Sequence, residues 1–183
     1  MNKKMLGACL LALTPLWAHA ATFDKFVPAD SKIGFTYEQM GVSLDGEFKK
    51  FDGTLSFDPA NAEAAKVTLS VPLADIDTGS AEGNDEVANA EWFNTGAHPA
   101  ASFESTAIRV EGDGYQVDGL LTIKGISKPI SFPATFVEKG ATGTFEGSFV
   151  VQRGDFNVGE GAWSTFDIVA NDVNVNFSIV AAQ

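Results

Sequence analysis

DVNVNFSI, residues 172–179, is the clearest run of period two in the chain. Val173, Val175, Phe177 and Ile179 alternate with Asp172, Asn174, Asn176 and Ser178. Successive side chains of a strand point to opposite faces, so this run reads as a β-strand with one apolar and one polar side. The same pattern recurs upstream. Ile33, Phe35 and Tyr37 share a face, as do Phe51, Gly53, Leu55 and Phe57. Val67, Leu69, Val71 and Leu73 form another set, and Phe103 opens a run through Ile108 to Val110. Tyr115, Val117, Gly119, Leu121 and Ile123 follow, then Ile130, Phe132, Ala134 and Phe136, then Phe145, Gly147, Phe149 and Val151.

These are eight candidate strands. Turn residues separate many of them: Asp58-Pro59-Ala60-Asn61, Glu111-Gly112-Asp113-Gly114 and Lys139-Gly140. Helical signal is confined to Asn84–Phe93, where Asn84 or Asp85 is positioned to cap a short turn. The expected fold is all-β: an eight-stranded antiparallel barrel with one or two short helices. A barrel of that size has room for side chains or for one small ligand. Two packed sheets satisfy the same alternation, and periodicity does not choose between them.

The N-terminus reads as a leader. Lys3 and Lys4 precede an apolar run from Met5 to Trp17, and Ala18-His19-Ala20 gives a small-x-small cleavage site. Residues 1–20 are therefore expected to be a signal peptide and 21–183 the barrel domain, which places the protein in the periplasm. The apolar run is too short to span a bilayer, so no integral membrane segment is expected after cleavage. The one cysteine, Cys9, falls in this leader, and most of the apolar run follows it, which argues against lipidation. The rest of the chain then has no disulfide to staple it.

The formal net charge is −12, and loss of Lys3 and Lys4 makes the remainder more acidic still. Phosphate backbones and anionic headgroups repel such a surface, so nucleic acid is not an expected partner. Acidity reads most simply as solubility.

Few residues offer chemistry. His98 is the one histidine beyond the leader and reads as a loop residue before Pro99. No Cys/His cluster suggests zinc, and no Gly-rich loop precedes a helix, so neither a metal nor a cofactor is expected. Asp77-Thr78-Gly79-Ser80 matches the four residues around each catalytic aspartate of pepsin-like proteases. That chemistry needs two carboxylates sharing a proton. With one copy, a protease through Asp77 would have to be a dimer; a strand running into a turn is the simpler reading. Asp75, Asp77 and Glu86 fall at positions 1, 3 and 12 of an EF-hand spacing, but Ser80 stands where the sharp turn demands glycine.

Phenylalanine is the compositional outlier, with 15 residues. Most of those on strands share the apolar face. They either fill a core or line a cavity for an apolar ligand.

The order of short motifs resembles the YceI family. Those motifs are Val27-Pro28-Ala29-Asp30-Ser31, Met40-Gly41-Val42, GEFKKFDGTLSF at 46–57, Ile76-Asp77-Thr78-Gly79, Asn84-Asp85-Glu86, Trp92-Phe93, His98-Pro99, Phe103-Glu104-Ser105, GLLTIKG at 119–125, RGDFNVG at 153–159 and Trp163. The resemblance covers nearly the whole chain after the leader. It departs at Asp30 and near Gln39, where many members carry histidine. It implies a lipocalin-like barrel, without enzyme activity, whose cavity holds a polyisoprenoid, an isoprenoid-quinone lipid or another long-chain apolar molecule. The expected lining is Phe35, Phe51, Leu69, Phe103, Leu121, Ile123, Phe132, Phe149 and Phe177. Tyr37, Asp77, Arg153 and Trp163 are the candidates for polar or amphipathic groups at its mouth. A charge placed at Phe132 is expected to abolish lipid binding while the barrel survives. The second reading is a filled barrel that binds a protein partner, and a symmetric homodimer is compatible with either.

Overall fold

The alternating segments hydrogen-bond to one another in a single antiparallel sheet. The computed structural model describes residues 22–183, so the expected leader, 1–20, lies outside it. The strands are β1 (Lys25–Phe26), β2 (Lys32–Gln39), β3 (Val42–Phe48), β4 (Asp52–Ser56), β5 (Lys66–Pro72), β6 (Ile76–Asp77), β7 (Ala100–Glu111), β8 (Gly114–Ile123), β9 (Ile126–Lys139), β10 (Thr142–Gln152) and β11 (Asp172–Ala182). All eight expected strands are present. The sheet is 11-stranded instead of eight-stranded, because β3 and the two-residue β1 and β6 join it. Alternation in β3 is diluted: Val42 at its start is 57% exposed, and Gly46 stands where a bulky residue would have marked the inner face.

The order is β4-β5-β7-β8-β9-β10-β11-β2-β3-β6, with β1 on β11. The sheet curls until β2 lies beside β11, as in a lipocalin-like barrel. It does not close completely, since β4 and β6 end the path and no ladder joins them among the described residues. One end of this seam is bridged by the segment before β2. Phe23 N–H donates to Phe57 O at 2.8 Å and Phe57 N–H to Phe23 O at 3.0 Å, while β1 pairs with β11.

Two devices bend the sheet. In β7 the register shifts between Ser105 and Ala107. This bulge turns Ile108 inward, and Ser105 Oγ accepts the Val67 N–H at 2.9 Å across the irregularity. Elsewhere a glycine sits under a cross-strand ring. Gly46 pairs with Phe35 and Gly147 with Phe177, and a Cβ at either glycine would collide with that ring. The missing side chain lets the ring lie across the strand and the sheet fold around it.

The helix α1 (Ala81–Ala88) begins earlier than the sequence suggested. Ser80, not Asn84 or Asp85, is the cap, its Oγ accepting the Gly83 N–H at 3.0 Å. The Asn84 side chain is occupied elsewhere: its Oδ1 accepts from Thr78 N–H at 2.7 Å and Thr78 Oγ1 at 2.8 Å. Among the described residues no helix is long and apolar enough to cross a membrane.

Candidate ligand-binding chambers

The inward side chains of a curled sheet must either meet in the middle or leave space. Here they do both. At the bridged end Phe23, Phe57, Phe136 and Phe145 pack ring to ring, with centroids 4.5 Å apart for Phe136–Phe145 and 4.8 Å for Phe57–Phe136 and Phe57–Phe145. Phe23 and Phe57 are fully buried. Phe23 and Phe136 are core here, while Phe57 and Phe145 also border the space beyond them.

Further along, the rings line space. A first chamber of about 170 Å³ draws its wall from nearly every strand, and Ser102 and Tyr115 are its only residues with a polar side-chain atom. Leu69, Phe103, Leu121, Ile123, Phe132, Phe149 and Phe177 are in that wall. Phe132 stacks on Phe149 at 4.8 Å, with Phe103 and Phe177 each 5.6 Å away.

A second chamber, also about 170 Å³, shares Phe48, Ala101, Ile123, Val151 and Val175 with the first, so the two adjoin. Its wall includes Phe35, Tyr37 and Trp163, together with Gln39, Thr78, Glu86 and Trp92. The interior is thus polarised: apolar in the first chamber, amphipathic in the second. A cavity near 150 Å³ holds about one benzene-sized group, so each chamber accepts a short stretch of an apolar molecule.

Tyr37 reaches across the second chamber's wall, its Oη donating to Thr78 O at 3.0 Å. Burial pushes its phenol pKa above the ordinary value. Trp92 is buried, and among the described residues its Nε1 has no hydrogen-bond partner. Its ring packs against Trp163 at 5.4 Å.

Three candidates stand differently from expectation. Phe51 is in the wall of neither chamber; it packs with Ile33 and Ile179 and lies 6.0 Å from the Phe26 ring, beside the seam. Its face of the strand was read correctly, but the N-terminal segment covers that position.

Arg153 does border the second chamber, but its hydrogen-bonding capacity is spent on the fold. It is 3% exposed. Nε donates to Ala170 O, one terminal nitrogen to Val158 O and Gly159 O, and the other to Trp163 O and Val169 O, all at 2.8–3.1 Å. A guanidinium has five N–H groups, and these five carbonyls take them. The charge also lies over the rings of Trp92 and Phe166, at 5.2 and 4.9 Å. Burial without a carboxylate pushes its pKa down from the ordinary value. Arg153 fastens residues 158–170 to the end of β10.

Asp77 is likewise a structural group. Its carboxylate pairs with Lys49 Nζ at 2.6 Å and accepts the Gly79 N–H at 3.0 Å. The Lys49 hydrogen bond, and after it the Gly79 amide, hold its pKa below the usual carboxylate value. A proton-sharing dyad requires the opposite shift in one partner. Asp75 is paired with Lys50 at 2.9 Å. The Asp-Thr-Gly-Ser run is therefore a strand end, a turn and a helix cap in succession. His98 lies over Gly125 in the β8–β9 turn.

Sequence reasoning missed Phe48 and Ala101, which border both chambers, and Thr78 and Glu86 in the second. Phe48 was legible from the period of Val42, Leu44, Gly46 and Phe48. Ala101 precedes Phe103 by two in β7 but is too small to mark a face; Thr78 and Glu86 come from segments brought in by tertiary folding, and no local pattern marks them.

The same architecture occurs in known proteins. The YceI-like domain model matches residues 25–181. A UPF0312 protein of Photorhabdus laumondii is 35% identical over 167 residues, covering 86% of this chain and 87% of that protein. The crystal structure of Burkholderia cenocepacia BcnA superposes with a TM-score of 0.81 at 40% identity, covering 84% of this chain and 98% of that one. A polyisoprenoid binding domain from Saccharophagus degradans, implicated in plant cell wall breakdown, shares the fold at 14% identity, with a TM-score of 0.65 over 90% of this chain and 99% of that domain. With its matched domain spanning β1 to β11 and its curled, two-chambered sheet, the chain belongs to the family of YceI-like domain proteins.

Proposed function

We propose that this protein is a periplasmic binding protein and carrier that holds a polyisoprenoid, or another long-chain apolar molecule, within the two adjoining chambers. The observation that carries this reading is the polarised interior: walls that are phenylalanine and aliphatic apart from Ser102 and Tyr115 in one chamber, and most of the hydrogen-bonding groups in the other. An apolar chain enters the first, and its head group lies in the second. Each buried methylene contributes about 0.8 kcal/mol, so one five-carbon isoprene unit contributes roughly 3–4 kcal/mol before losses. Ordering the chain offsets part of that gain. The fold shared with the polyisoprenoid binding domain of Saccharophagus degradans supports the same class of ligand. Open space in the barrel favours this reading over a filled barrel that only docks a protein. Asp77, the one sequence match to a catalytic motif, is tied to Lys49 and Gly79, which supports a binding role.

The test is native mass spectrometry of protein recovered from the periplasm, followed by organic extraction. A stoichiometric prenyl or acyl species supports the proposal. Protein that is absent from the periplasm, or that arrives empty and takes up no added prenyl lipid, refutes it.

A further inference from the structure

We propose that an apolar rim beside the second chamber, formed by the β2–β3 turn and residues 166–168, docks on a zwitterionic phospholipid surface from which the interior is loaded. This rests on the reading of the interior as a site for an apolar chain. It adds what the protein touches when that chain is exchanged.

Gln39 pairs with Val42, so β2 and β3 are joined by two residues alone, Met40 and Gly41. Both have positive φ, 52° and 80°. Such a turn favours Asn, Asp or Gly at its first position, because most side chains are crowded in the left-handed conformation. Methionine is a poor choice for the backbone there, and it is also 76% exposed. The apolar tip is kept against both local conformation and solvation. Its neighbours extend it. Met40 N–H donates to Ile168 O at 2.8 Å, and Ile168, Phe166 and Val42 are exposed as well.

Position, size and charge identify the partner. The rim is continuous with the interior: Gln39 and Val169, which line the second chamber, are the chain neighbours of Met40 and Ile168. It also stands at the unstrapped end of the barrel. The strap pairs with Ala181 and Ala182 at the end of β11, whereas residues 168–170 lead into its start. An apolar chain passing directly between lipid and chamber is spared exposure to water. Four side chains make up the rim, against roughly 20–30 residues a side in a stable protein interface. That suits a shallow, reversible contact with lipid better than a second copy of the chain. Residues 38–45 and 162–170 contain no lysine or arginine, but do contain Glu38, Asp45 and Asp167. Such a rim enters a lipid surface by its apolar side chains and gains nothing from anionic headgroups.

The experiment reads co-flotation of the purified protein with phosphatidylcholine vesicles, alone or mixed with phosphatidylglycerol, and farnesol uptake from buffer by equilibrium dialysis. The protein is expected to float with phosphatidylcholine, undiminished by added salt, and less with the mixed vesicles. Met40→Asn supplies a residue the turn prefers, so the variant is expected to melt no lower than the parent. Its partition into vesicles should fall about tenfold, as for withdrawing one methionine-sized side chain from an apolar phase. Farnesol uptake should not change, since Met40 is in the wall of neither chamber. Val42→Thr, nearly isosteric, is the second variant. Parent protein that stays off phosphatidylcholine overturns the inference, as do folded Met40→Asn and Val42→Thr proteins that float like the parent. A parent dimer that both variants dissociate, with no vesicle binding, overturns it in favour of a second copy on the rim. Vesicle binding without farnesol uptake overturns the apolar-chain reading instead.

Discussion

Replacing Ala101 with phenylalanine should obstruct the interior without dismantling the fold. Ala101 is 8% exposed and borders both chambers. A benzene-sized ring occupies most of a cavity near 150 Å³, and each chamber is about 170 Å³. Filling an apolar void recovers about 24 cal/mol per Å³, or roughly 3–4 kcal/mol for a ring of that size. Strain from an inserted side chain costs about 1–3 kcal/mol. The expected net is a stability gain of about 0–3 kcal/mol, which raises Tm by up to about 10 °C. Farnesol binding should fall at least about tenfold, since the ring sits where the chambers meet and occupies space the chain needs. The assay is equilibrium dialysis beside differential scanning calorimetry. An Ala101→Phe protein that melts no lower than the parent and binds farnesol undiminished would refute the two-chamber reasoning. Ala101→Leu, a smaller insertion, serves if the ring proves too large. Phe132→Asp, the sequence-based choice, is the poorer test. Phe132 is 6% exposed and surrounded by Phe103, Phe149 and Phe177. An unpaired carboxylate there costs several kcal/mol, against a total stability of about 5–15 kcal/mol, so loss of binding would be confounded with unfolding.

Arg153→Met should lower stability in urea by about 3–5 kcal/mol, because it strands the carbonyls of Ala170, Val158, Gly159, Trp163 and Val169 in a buried site; Arg153→Lys should rescue little of that loss, since an ammonium lacks the fork of five donors. Gly147→Val should destabilise by about 1–3 kcal/mol through collision with the Phe177 ring, and Phe177→Leu in the same chain should recover part of it, as a double-mutant cycle in urea would show. Asp77 has a depressed folded pKa, so its contribution is present above the unfolded value, near pH 4, and is lost as pH falls through the folded value; Asp77→Asn should therefore flatten the acid limb of a stability–pH curve below about pH 4 and leave no proteolytic activity to lose, whereas acid proteolysis by the parent protein that vanishes in the variant would restore the protease reading.

The strands were legible because burying one face of a sheet forces a period of two, and that period survives in any strand with enough large residues. It identified β2, β4, β5 and β7 through β11. It faltered at β3, where Gly46 yields its place to the Phe35 ring, and at the bulge of β7, where Ile108 takes the inner face although it breaks the count from Phe103. The site was legible as a face and not as a volume. Alternation assigned Phe136 and Phe149 to the same side, yet Phe136 packs against Phe23 outside both chambers and Phe149 is chamber wall, because the N-terminal segment delivers Phe23 to one end only. Arg153 and Asp77 look like polar groups available to a ligand until their hydrogen bonds are traced to the main chain.

The seam between β4 and β6 bears on how a long chain could be housed at all. In a fully laddered cylinder, girth is fixed by main-chain hydrogen bonds, and swelling means breaking a whole row of them. Here the circumference is interrupted, and along that line the two lips are held by side-chain packing and by the short strap around Phe23. Widening along that line would leave the ladders from β4 through β11 to β6 intact and would cost only the strap and the side-chain contacts of the lips. Capacity is then a property of the split and not of the resting void, and amide protons of β7 through β10 should remain protected from exchange when cargo enters.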